Sequence, residues 1–191
     1  MTIRHVFRSA LLAVACSVAA HAGILFQGVF SQDDDVVLKQ FIVSAAQDIT
    51  IDTTSYANGG FDPMLSLFDS TGLLIGLNND GGGSVTADPV TGNHWDAFLF
   101  LPSLAPDTYT LAITQSDNGP LGPTLADGFL ESGNGNFSGG FVDLSGSQRQ
   151  PNWSVEVIGD VAQPTPEPSA WMLVAGGSVL LAIAGMRRVG P

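Results

Sequence analysis

Between Gly23 and Gln163 the chain alternates short β-branched, aromatic or apolar runs with clusters of Gly, Asn, Asp and Pro. No stretch there holds an apolar residue at every third or fourth position, as an amphipathic helix would. The alternation is clearest in Thr108-Tyr109-Thr110-Leu111-Ala112-Ile113-Thr114, which puts Tyr109, Leu111 and Ile113 on one face, toward a core. Phe41 with Val43, and Ile49 with Ile51, repeat the pattern. Eight strands are predicted on this basis: 24–30, 36–43, 48–54, 64–69, 73–77, 97–101, 108–114 and 153–158. Asp69-Ser70-Thr71-Gly72 reads as a turn, with Asp first and Gly last. Strands at this spacing predict an all-β fold, an antiparallel β-sandwich or jelly roll. The Gly-rich stretches 78–92 and 133–140 are too long for hairpin turns and read as surface loops.

The two ends follow a different pattern. At the front, Arg4 and Arg8 precede an apolar run from Ala10 to Ala20, and Ala20-His21-Ala22 has the small-x-small form of a cleavage site. Residues 1–22 are therefore expected to be a secretory signal peptide cut after Ala22, leaving Gly23 first. Cys16, the only cysteine, would leave with it, so disulfides and thiolate metal sites are excluded from the mature chain. At the back, Pro166-Glu167-Pro168 is followed by an apolar run from Ser169 to Met186 and then by Arg187 and Arg188. As a helix at ~1.5 Å per residue the run is about 27 Å long, enough to cross a bilayer core of ~30 Å. Arginines directly behind it would keep that end cytoplasmic and the rest outside. The division expected is 1–22 signal peptide, 23–163 domain, 164–168 Pro-rich linker, and 169–191 transmembrane helix with basic tail.

Charge narrows the function. Of the basic residues only Lys39 and Arg149 fall within 23–163, against seventeen acidic ones, a formal charge of −15 for that segment. Binding nucleic acid needs a basic stripe, which two cations do not supply. The acids are 15 Asp against 3 Glu over the whole chain. Asp favours turns and caps, and it is a hard oxygen ligand for Ca²⁺.

The order of triplet, apolar run and basic pair resembles the PEP-CTERM sorting signal of Gram-negative bacteria. That resemblance implies recognition of Pro166, Glu167 and Pro168 by the membrane transpeptidase-like enzyme exosortase, with Arg187 and Arg188 completing the signal. Within the domain, GGFDPMLSLFDSTGLLIGLNNDGG followed by WDAFLFLPSLAPDTYTLAITQ resembles the bacterial pre-peptidase C-terminal (PPC-like) sandwich over residues 26–115. One departure is Pro106-Asp107 before Thr108-Tyr109, where that family has Gly. The resemblance implies a β-sandwich whose loops at one end gather carboxylates.

Chemistry-bearing patterns are sparse. The mature segment has one histidine, His94, read as an exposed loop residue, and nothing forms a G-x-S-x-G elbow. No phosphate loop is present, because GGFDP and NNDGGG lack a following Lys and helix. The candidate metal ligands are Asp33, Asp34, Asp35, Asp62, Asp80 and Asp96, with Ca²⁺ as the cofactor they would hold if the loops converge. The expected function is that of an exported, non-enzymatic structural or adhesive protein. It would be handled by the secretion machinery, inner-membrane anchored before exosortase acts, and then sited at the cell surface or in an extracellular polysaccharide matrix. The alternative is a secreted carbohydrate-binding or carbohydrate-hydrolysing module with Trp95 and Trp153 as a sugar platform.

Overall fold

The computed structural model describes residues 23–165. The expected signal peptide with Ala20 and Ala22, the triplet Pro166-Glu167-Pro168, the apolar run after it, and Arg187 and Arg188 lie outside the described residues. Among the described residues no helix is long and apolar enough to cross a membrane.

Nine strands make up the domain: β1 (Ile24–Val29), β2 (Val37–Val43), β3 (Gln47–Thr53), β4 (Pro63–Phe68), β5 (Leu74–Asn78), β6 (Phe98–Leu104), β7 (Asp107–Gln115), β8 (Asn152–Ile158) and β9 (Val161–Ala162). Among the described residues, helix is confined to two short 3₁₀ turns, Gly82–Ser84 and Leu125–Asp127. All eight expected strands are present, and the one not expected is the two-residue β9. Pairing is antiparallel throughout, in a four-stranded sheet of order β1-β8-β3-β6 and a five-stranded sheet of order β5-β4-β7-β2-β9.

The two sheets form a β-sandwich because each supplies one apolar face. Ile49 and Ile51 of β3 and Val155 and Val157 of β8 pack against Phe41, Val43, Leu65, Leu67, Leu111 and Ile113 of the other sheet. Tyr109, Leu111 and Ile113 face inward, as their alternation requires. Ala112 points the other way yet is fully buried, because Phe68 and Phe129 cover it with Val36, Leu74 and Leu125 in a second, smaller cluster. The long connection from β7 to β8 supplies Phe129 and Leu125 to that cover and Phe141 to the main core, so it is a folded part of the domain.

Trp153 of β8 is 4% exposed and lies opposite Gly28 of β1. A side chain at Gly28 would meet the indole ring at 2.6 Å, so only glycine leaves room for it. Lys39, at the mouth between the sheets, sits 5.7 Å from the Trp153 ring and 5.9 Å from that of Phe26.

Candidate functional site

The Asp-rich loops gather at one end of the sandwich, but the six expected ligands do not form one site. Asp33, Asp34 and Asp35 are adjacent in sequence and go separate ways. Asp33 is buried and accepts hydrogen bonds from the Asn136, Ser138 and Gly140 N–H groups and from the Ser138 hydroxyl. Burial alone would raise its carboxyl, but the Ser138 hydroxyl and these N–H groups outweigh it and hold the pKa below the ordinary value. Asp34 accepts from Gly133 N–H at 2.9 Å, and Asp35 from the Ser31 and Gln32 N–H groups of its own turn. Asp96 is also engaged: Thr53 Oγ1, Tyr56 N–H and Ala57 N–H donate to it at 2.7, 3.0 and 2.8 Å. These acids staple loops to the sandwich. Among the described residues no three His, Cys, Asp or Glu side chains are grouped as a metal-holding set.

Sequence reasoning missed a buried polar knot centred on Arg149, which is 7% exposed. Its Nη2 donates to Asp88 at 2.9 Å and to the Tyr56 carbonyl at 2.6 Å, and its Nε donates to the Gly60 carbonyl at 3.0 Å. The guanidinium lies 3.9 Å from the centre of the Tyr56 ring, whose hydroxyl donates to Asp143 at 3.0 Å. Asp88 would be raised by burial, yet the Arg149 bond and two bonds from Thr91 bring it down to about 2. Asp143 is likewise lowered: burial is overcome by Ser145, Ser147 and Tyr56. One guanidinium thus ties together the loop after β3, the loop after β5 and the loop before β8.

Asp62 and Asp80 are a different case. Asp62 immediately precedes β4, is 2% exposed, and its Oδ1 has no hydrogen-bond partner. Burial pushes its carboxyl up to about 8, helped by the negative charges of Asp80, Asp96, Asp117 and Asp143. Asp80, at the surface just past β5, is raised by burial and by Asp117. Pro63 pairs with Gln115, and the Asp62 carbonyl accepts the Ser116 N–H at 2.7 Å, so Asp62 and residues 115–117 share this end of the sheet. A cavity of about 150 Å³ opens there, lined by Asp62, Gln115, Ser116, Asp117, Ser138 and Asp143 among others. The Gln115 Oε1, Ser116 Oγ and Asn79 Oδ1 atoms are also buried without partners. Gln115 and Asp117 had no local signal as neighbours of Asp62; strand register alone brings them together.

The aromatic candidates separate. Trp153 is in the core, while Trp95 is half-buried against Tyr56 with ring centres 5.1 Å apart. His94 is exposed, as expected, with Nδ1 2.8 Å from the Val85 carbonyl. A larger open groove of about 470 Å³ lies along β2, bounded by Phe26, Leu38, Lys39, Gln40, Thr110 and Leu125, and no carboxylate lines it. No protein-family model matches this chain, and no curated protein matches it.

Proposed function

We propose that this chain is an exported, exosortase-sorted protein of the cell surface or extracellular matrix, whose β-sandwich serves structurally or adhesively and not as an enzyme. The observation that carries the reading is how the domain uses its polar chemistry. Asp33, Asp69, Asp88, Asp96, Asp127 and Asp143 each accept several hydrogen bonds that fix a loop. Stapled loops on two sheets make a durable module for an exposed site, with no disulfide in the mature chain to reinforce it. Export and sorting rest on the sequence of the two ends: Arg4, Arg8 and Ala20-His21-Ala22 in front, and Pro166-Glu167-Pro168 with Arg187 and Arg188 behind. The partners in this reading are the secretion machinery, exosortase, the inner membrane before processing, and extracellular polysaccharide afterwards.

Mass spectrometry of the mature protein from its host tests this. The expected form begins at Gly23 and ends near Pro166–Pro168, and Glu167→Gln leaves export intact while blocking sorting. An intact peptide containing Met186 as the main species in the matrix fraction would overturn it. The second reading, a secreted carbohydrate-binding or carbohydrate-hydrolysing module, draws support from the 470 Å³ groove, whose volume is within the range of small-ligand sites. Retention on host polysaccharide that Gln40→Ala and Thr110→Ala abolish would favour it.

A further inference from the structure

The end of the five-stranded sheet presents an arrangement that no staple explains. There β5, β4 and β7 lie side by side, and the register Leu65↔Asn78 and Pro63↔Gln115 brings Asn79 and Asp80 on one flank, and Gln115 to Asp117 on the other, toward Asp62 in the centre. Two of these residues line the cavity with buried side-chain oxygens that receive no hydrogen bond, Asp62 Oδ1 and Gln115 Oε1, and Ser116 Oγ lies in the same lining, also without a partner. Buried acceptors are almost always satisfied, so several unsatisfied ones near one another call for a missing positive group.

Arg149 reaches the cavity lining only at Asp143, with its Nε 4.0 Å from Oδ2, and is otherwise engaged. It is bound to Asp88, Tyr56 and Gly60, and Lys39 lies over Phe26 and Trp153. What suits such a set of oxygens is a hard cation. Calcium takes six to eight oxygens from carboxylates, Asn or Gln carbonyls and water, and tolerates irregular geometry, whereas magnesium demands a compact octahedron. The cavity of about 150 Å³ holds an ion with several waters, at ~30 Å³ of liquid volume each, and falls below the ~300 Å³ at which small-molecule sites begin.

We propose that the ends of β4 and β7 form a calcium site in this cavity, with Asp62 as its buried anchor, Gln115 as a neutral oxygen ligand, and Asp117 and the neighbouring Asp80 closing over the ion from the surface. The three carboxylates do not meet at one point without the ion, and the exposure of Asp80 and Asp117 leaves them room to turn inward. Of the six acids expected from sequence, this site keeps Asp62 and Asp80. Asp33, Asp34, Asp35 and Asp96 remain loop staples.

The site is independent of the sorting reading, and its test does not depend on processing. The full chain in detergent, stripped with chelator, is titrated with CaCl₂ and with MgCl₂ by calorimetry, and melted in each salt and in NaCl of equal ionic strength. One calcium per chain is expected, with magnesium weaker and a rise in melting temperature larger than NaCl of equal ionic strength gives by screening. Asp117→Asn, at an exposed position, is expected to weaken calcium about tenfold or more, equivalent to ~1.4 kcal/mol. Asp62→Asn should abolish binding while the circular dichroism spectrum is retained, and Asp160→Asn, on the turn before β9, should change nothing. If Asp62→Asn fails to fold, Asp117→Asn alone decides. No calcium heat in the unsubstituted chain, or unchanged binding in Asp117→Asn, overturns the proposal; the latter would place the ion elsewhere on the acidic surface.

Discussion

Arg149 shows how one side chain can set the stability of several loops. It is the only arginine among the described residues, and every bond it makes is buried. Arg149→Met is expected to destabilise the domain by about 3 kcal/mol, because removing one partner of a buried pair leaves Asp88 uncompensated. Arg149→Lys should recover only part of this, since an ammonium cannot reach Asp88 and the Tyr56 and Gly60 carbonyls as a planar fork does. Urea denaturation of the three proteins measures both effects. The same knot carries a pH dependence. Asp88 is lowered to about 2, and Asp33 and Asp143 are lowered as well. A lowered carboxyl binds fewer protons folded than unfolded, so its stabilisation is complete above the ordinary value of 3.8 and is lost as pH falls toward about 2. The melting temperature is expected to drop through that window, and Asp88→Asn should flatten the drop. Nothing local marked this knot in the sequence. Asp88 and Arg149 are 61 residues apart, each in a stretch that reads only as loop. The available signal was global: with two cations for seventeen acids, a lone Arg in a Gly-rich stretch has an engaged role as its simplest explanation.

At the scale of strands the sequence was far more informative, because period-2 alternation is local and each sheet buries one face. Where it misled, tertiary context had intervened. The apolar run at 97–101 stops at Pro102, yet β6 continues to Leu104. Proline is tolerated there because β6 is an edge strand and the ladder is already irregular: the register slips between Gln47 and Ile49 opposite it. Ser103 then takes φ 50°, and its N–H donates to Asp48 at 2.9 Å. The strand β9 was invisible because two residues carry no periodicity. Pairing register, which no single strand encodes, also creates a local fault: Asp52 of β3 stands directly opposite Glu156 of β8. Asp52 is raised by burial and by Glu156 and Asp96, and its Oδ1 is buried without a partner. Glu156→Lys converts a like-charge pair into an attractive one, and a gain of about 0.2–1 kcal/mol is expected. A denaturation midpoint unchanged or lowered in Glu156→Lys would show that solvent already screens the pair.

At the scale of the molecule, the carboxylates that staple loops also repel one another, and these two effects respond differently to salt. The segment from Gly23 to Gln163 carries a formal charge of −15, with Lys39 and Arg149 its only basic residues. Net charge of this size opposes the compact state through self-repulsion. Repulsion between exposed acids such as Asp80 and Asp117 acts over several ångströms of water and weakens as the screening length falls from ~30 Å at 0.01 M salt to ~3 Å at 1 M. The short bonds inside the Arg149 knot are buried and are screened much less. Raising NaCl should therefore stabilise the domain by removing repulsion while leaving its staples intact, with each 1 kcal/mol appearing as roughly 2–8 °C in Tm. NaCl and KCl should act alike, since screening depends on ionic strength and not on the ion. The Arg149→Met variant separates the two effects: its loss should persist at high salt, because the interaction removed is buried. A destabilisation that vanishes by 1 M NaCl would mean that the knot works through long-range charge and not through its buried bonds.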